Sequence, residues 1–266
     1  MTLEKTEPGR LDPLCALVCG FEKSGTTLIN EILRRHPRLD SGHEVGVLLV
    51  DSPREFHTKQ PYYSFFRETW KLSKAEAEEI CDTDDWSTFY RRARTLSPVI
   101  VDKSVSIFDK TPVYMLHLSD VLDKAPLPCI VSVRDPRALM NSWANWSGHS
   151  ADAESWLDEH FERNRDRFLS YARGYRRASR SHAELLRVSQ FEELSNSPET
   201  EFEKIFEFLG LEFRTEYLSF ESEHFVYGNA VSTDYVFAYR DSLSSELCER
   251  ILDATSEFEE WHYHAG

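Results

Sequence analysis

The sequence predicts a three-layer α/β/α sandwich around a central parallel sheet, and three observations carry that expectation. Short uninterrupted apolar runs recur at 14–20, 98–103, 128–135 and 185–191, the pattern of strands buried on both faces. Amphipathic stretches at helical spacing separate them. A glycine-bounded loop joins the first run to the first helix-like stretch, so strand and helix alternate from the start.

Taken in order, "LCALVCG" (14–20) is the first strand. Thr26 and Thr27 lead into a helix in which Leu28, Ile29, Ile32 and Leu33 fall at helical spacing, and Pro37 stops it. Ser73 starts a helix in "SKAEAEEIC", "PVIVDK" (98–103) reads as a strand, and Pro112 sits early in a helix over "TPVYMLHLSDVL". "PCIVSVRD" (128–135) is the next strand, followed by a helix over "DPRALMNSWANW". "WLDEHFERNRDRFLSYARGY" reads as one helix with Leu157, Phe161, Phe168, Tyr171 and Tyr175 roughly on one face. "LLRVSQF" (185–191) is a fourth strand. "SPETEFEKIFEFLG" reads as a helix capped by Ser197, with Pro198 in its first turn and Gly210 closing it. No repeat, low-complexity segment or linker interrupts the chain, so one domain over 1–266 is expected, with 1–13 a flexible N-terminus.

The 46 acidic and 31 basic residues give a net charge of −15. That balance argues against nucleic acid or an anionic membrane as partner of the whole surface, while leaving room for a local basic pocket. No run of 18 apolar residues exists, and the polar start lacks the apolar core of a signal peptide. Cys15, Cys19, Cys81, Cys129 and Cys248 are scattered, form no CxxC pair and complete no zinc pattern. A reduced, cytoplasmic protein is expected, in which the "NWS" sequon at Asn145 is chance. Oligomeric state stays open between monomer and homodimer.

"GFEKSGTTLI" (20–29) carries the chemistry. Gly20 and Gly25 keep the glycine spacing of a Walker A loop, but Thr26 occupies the lysine position and the lysine stands mid-loop as Lys23. Backbone N–H groups around Ser24, Gly25, Thr26 and Thr27 converge on an anion at the positive end of the following helix. Ser24, Thr26 and Thr27 add hydroxyls and Lys23 adds charge. Magnesium machinery is not evident: Asp102 ends a strand-like run, but Lys103 beside it weakens it as a metal-holding aspartate. A second anion site is written in "VSVRDPRALMNSW": Arg134 stands at the carboxyl end of a parallel strand, the edge where such sheets bind ligands, and Ser142 lies two turns along the next helix.

Together these segments resemble the PAPS-dependent sulfotransferase family. "GFEKSGTTLI" is similar to its 5′-phosphosulfate loop and "VRDPRALMNSW" to its 3′-phosphate segment. "FEELSNSPETEFEKIFEFLGLEF" (191–213) and "DKTPVY" (109–114) resemble two further elements, the latter found in Golgi-type and bacterial members. The resemblance runs from about 15 to about 213 and implies a P-loop-type sulfotransferase fold. It also implies the donor 3′-phosphoadenosine 5′-phosphosulfate (PAPS), the product adenosine 3′,5′-bisphosphate, and direct transfer without a metal.

By the same resemblance, Lys23 binds the 5′-phosphate and steadies the bridging oxygen as the S–O bond breaks, and Lys110 faces the sulfuryl group, with Lys103 as its competitor. Arg134 and Ser142 hold the 3′-phosphate. Glu44 of "HPRLDSGHEVGVLL" stands where tyrosylprotein sulfotransferases carry a glutamate base, and His43 beside it is the alternative, because cytosolic members use histidine. Three departures stand out. Phe191 replaces the tyrosine that opens the "YEDL" element, so a hydroxyl contact to the donor is lost there. Trp146 replaces a basic residue, and the glycine- and lysine-rich C-terminal signature of aryl sulfotransferases is absent.

The acceptor expected is a hydroxyl, or an amine, of a small molecule, with a tyrosyl peptide or a carbohydrate as the nearest variant. Tyr62, Tyr63, Phe65, Phe66, Trp70 and Trp86 are either core or acceptor pocket. A P-loop small-molecule kinase and a non-catalytic nucleotide-binding protein are the alternatives from other classes.

Overall fold

A computed structural model of the chain describes residues 11–224 and 228–264. Residues 1–10 of the expected flexible N-terminus lie outside the described residues, whereas Leu11 is placed and bridges to Leu14.

Five strands form the central sheet: β1 (Leu14–Gly20), β2 (Leu39–Asp40), β3 (Ser106–Lys110), β4 (Cys129–Val133) and β5 (Leu186–Gln190). Their order is β2-β3-β1-β4-β5 and every pairing is parallel. A separate antiparallel ribbon pairs β6 (Ser219–His224) with β7 (Gly228–Ala230). The helices run α1 (Thr26–Leu33), α2 (Tyr62–Thr69), α3 (Lys74–Cys81), α4 (Trp86–Leu96), α5 (Leu118–Lys124), α6 (Pro136–Trp146), α7 (Ala153–Glu159), α8 (Phe161–Ala178), α9 (Phe191–Asn196), α10 (Pro198–Phe208) and α11 (Ser245–Ala254).

β1 and β4 are buried on both faces, which explains their continuous apolar character, whereas the edge strand β5 is half-buried except at Ser189. In β1, Leu14, Leu17 and Cys19 face one core with Phe66, Phe89, Met115, Phe168 and Trp261, while Ala16 and Val18 face a second with Leu28, Ile32, Phe202 and Ile205. The expected three layers are present, with α1, α9 and α10 contributing to the second core and α2 to α8 to the first. Among the candidate pocket aromatics, Phe66 and Trp70 are fully buried in the first core.

Four expectations need correction. The run 98–103 is not a strand: Val101 is 86% exposed, the Lys103 ammonium donates to the Ser97 carbonyl at the end of α4, and the Ser97 hydroxyl donates to the Trp70 carbonyl at the end of α2. The strand forms downstream at Ser106–Lys110, with Phe108 beside Ala16 and Lys110 beside Val18. The long helix over 156–175 is broken at His160, whose backbone leaves helical values (φ −109, ψ 20) and whose carbonyl accepts from the Asn164 amide. Ser197 precedes α10, but its side chain makes no capping bond. Gly210 does close that helix, at φ 67. The reading over 111–122 becomes a 3₁₀ turn, Pro112–His117, continued by α5.

Gly174 in the middle of α8 is explained by what it crosses. A Cβ there would lie 2.1 Å from the Met115 carbonyl oxygen, so only glycine lets α8 rest on the 3₁₀ turn that follows Lys110.

Candidate active site

The sheet topology gathers the predicted residues at one edge. Each follows, or ends, the carboxyl end of a strand: Glu44 after β2, Lys110 at the end of β3, Lys23 after β1, Arg134 after β4 and Phe191 after β5. Because β1 has β3 on one side and β4 on the other, the chain reverses its direction of progress here. That is the crevice where open α/β sheets hold ligands.

The loop between β1 and α1 is shaped for an anion. Lys23 and Gly25 both adopt left-handed backbone (φ 76 and 95), and the Ser24 amide between them closes a turn onto the Phe21 carbonyl at 3.2 Å. The first-turn amides of α1 have no intrahelical partner, and a helix N-terminus offers such amides to an anion. A Cβ at Gly25 would lie 2.6 Å from the Phe191 ring, so the loop lies against that ring. Ser24 is buried, with its hydroxyl 2.7 Å from the Phe21 carbonyl and 2.9 Å from that of Ser132. It therefore ties the loop to the sheet. Thr26 is buried and Thr27 half-buried, while Lys23 is exposed. Although the side chain reaches solvent, the loop around its ammonium partly desolvates it, and this, with the repulsion of Arg134, holds Lys23 below its usual range.

On the β2–β3 side, Lys110 is 2% exposed and its Nζ lies 3.2 Å from Glu44 Oε1. His43 Nε2 is 4.0 Å from the same oxygen. Partial burial, then the charge of Lys110, hold the His43 imidazolium below its usual range, with Glu44 opposing. Tyr62 packs against Gly46; burial, helped by Glu44 and Glu22, pushes its hydroxyl up to about 12. Lys103, the competitor for the role of Lys110, donates to Ser97 instead.

On the β4 side, Arg134 Nη1 donates to the Lys23 carbonyl (2.8 Å) and Nη2 to the Tyr235 carbonyl (2.5 Å). Its guanidinium lies 4.3 Å over the Phe191 ring, a cation–π contact. Phe191, 3% exposed, thus seats both the loop and Arg134. Ser142 stands half-buried on α6, two turns past Arg134. The C-terminal segment also returns to this edge, since the Tyr263 amide donates to Asp135 Oδ2 at 2.8 Å.

Three acids at this edge, the buried Asp109 and Glu192 and the half-buried Glu22, were not legible as site residues. Glu22 accepts from the Tyr171 hydroxyl and pairs with Arg167 at 3.2 Å, bracing the loop against α8. Asp109 accepts hydroxyls from Tyr90, Thr111 and Tyr114. Glu192 accepts from the Asp135 amide at 3.1 Å. Burial pushes the Glu192 carboxyl up to about 7, against the pull of Arg134. A carboxyl raised on folding favours the fold when protonated. That contribution is complete below the unfolded carboxyl range and is lost as pH rises through about 7. Glu192→Gln keeps the acceptor oxygen, and at about pH 8 it should exceed the wild type in stability by up to about 3 kcal/mol. The gap should shrink toward about pH 5. Urea unfolding at both pH values checks this, and equal stability at the higher pH contradicts it.

The profile of the sulfotransferase family matches residues 16–215. The chain belongs to that family. Solved structures share its fold. One is the "Sulfotransferase Domain from the Synechococcus PCC 7002 Olefin Synthase" (TM-score 0.66, 16% identity, all of both chains covered). Another is the "Sulfotransferase Domain from the Curacin Biosynthetic Pathway" (0.63, 16%, covering 92% of this chain and 98% of that one). A third is a sulfotransferase from Alicyclobacillus acidocaldarius (0.52, 16%, covering 95% and 97%). No curated protein sequence gives a match. Among the described residues, no helix is long and apolar enough to cross a membrane.

Proposed function

We propose that this family member moves a sulfuryl group from PAPS directly to a hydroxyl, or an amine, of a small-molecule acceptor. The observation that carries the reading is the row of groups along adjacent strand ends: a carboxylate against a buried ammonium, then an anion loop, then an arginine. Sulfuryl transfer, like phosphoryl transfer, needs in-line positioning and stabilisation of charge that shifts between oxygens. In this reading the acceptor oxygen attacks sulfur and its proton passes to Glu44. The S–O bond to the 5′-phosphate breaks as Lys23 and the α1 amides take up the charge on the leaving phosphate. Lys110 faces the sulfuryl oxygens. Arg134, backed by Phe191, and Ser142 hold the 3′-phosphate, the group that separates this donor from ATP.

Calorimetry tests the donor assignment. Adenosine 3′,5′-bisphosphate is expected to bind much more tightly than adenosine 5′-monophosphate, and equal affinity for the two would overturn it.

A further inference from the structure

We infer that Asp109 and Thr111 are positioning residues that set Glu44 against Lys110, which rests on Glu44 being the base in the reading above. Glu44 lies on the connection after β2, a segment without regular structure from Ser41 to Gly46. Such a segment holds a side chain in place only if its backbone is pinned. Two of the pins come from one motif on the neighbouring strand.

The Thr111 hydroxyl donates to Asp109 Oδ1 at 2.7 Å and accepts from the amides of Val45 and Gly46, each at 3.1 Å. A hydroxyl has one proton and two lone pairs, so all three are used. The Tyr114 hydroxyl repeats the pattern: it donates to Asp109 Oδ2 at 2.8 Å and accepts from the Leu48 amide at 3.2 Å. Tyr90 gives Asp109 its third hydroxyl, at 2.6 Å. The buried carboxylate thus draws the protons of Thr111 and Tyr114 to itself and leaves their lone pairs facing the residues that follow Glu44. Lys110, between Asp109 and Thr111, reaches Glu44 itself. One three-residue stretch therefore fixes the base's backbone with Thr111 and its carboxylate with Lys110.

A buried acid with three hydroxyl donors has an alternative role as a purely structural knot under α4, and the experiment separates the two. Thr111→Val keeps the shape and removes the hydroxyl; Thr111→Ser restores it. The valine variant should lose hydrogen-exchange protection at Val45 and Gly46. Its kcat should fall by about 10- to 100-fold, as expected for a displacement of about 1 Å at a reacting group. Adenosine 3′,5′-bisphosphate affinity should stay unchanged, and the serine variant should recover most of the rate. In a Glu44→Gln background the valine change should add little, because the group it positions is already gone.

Unchanged protection, unchanged kcat, or a loss of bisphosphate affinity parallel to the loss of rate would overturn the inference. A wild-type protein that transfers no sulfuryl group, while the valine variant still frees the two amides, would instead refute the base's reaction and leave the clamp standing.

Discussion

Glu44→Gln is expected to lower sulfuryl transfer by about 10²- to 10⁴-fold, the usual worth of a general base, while leaving bisphosphate binding intact. The variant keeps an oxygen acceptor for Lys110, whose ammonium is 2% exposed and 3.2 Å from Glu44 Oε1, so the fold should tolerate it. What it loses is the capacity to take the acceptor's proton. Turnover close to wild type would remove Glu44 as the base and point to His43. The imidazole is half-exposed and held below its usual range by partial burial and Lys110, so it would be neutral and able to accept a proton near pH 7. Rates measured against pH in both Glu44→Gln and His43→Ala distinguish the two.

Arg134→Ala is the second large effect, and it falls on binding. Charge-assisted hydrogen bonds of this kind are worth about 1.5–3 kcal/mol, so adenosine 3′,5′-bisphosphate should bind roughly 10- to 150-fold more weakly. The 5′-monophosphate should lose much less. Arg134 also holds the Lys23 carbonyl at 2.8 Å, so some loosening of the loop accompanies the change. An equal loss for both nucleotides would mean that this structural bond is all Arg134 supplies.

The legible parts of this fold are those in which residue type and environment agree. β1 and β4 are apolar and buried, and the glycine loop between β1 and α1 has left-handed backbone at Lys23 and Gly25. Ser73 was readable as a helix start because it forms a capping box with Glu76. β3 was not readable, because two of its five residues, Asp109 and Lys110, are charged and yet fully buried. From sequence such residues mark a loop; here Tyr90 and Glu44 satisfy them from elements distant in the chain, together with the nearby Thr111 and Tyr114. Glu192, fully buried as well, was missed for the same reason. The aromatic stretch from Tyr62 to Trp86 had two readings, core or acceptor pocket. Phe66 and Trp70 pack into the core, and Tyr62 stands close enough to Glu44 for its hydroxyl to respond to that charge.

Transfer of labelled sulfate from PAPS to a panel of phenols, alcohols, amines and sugars, without added metal, tests the proposed reaction most directly. Labelled product from at least one acceptor, cut by at least about 100-fold in Glu44→Gln, is the expected result. No product from any of them, with no binding of adenosine 3′,5′-bisphosphate, would contradict it.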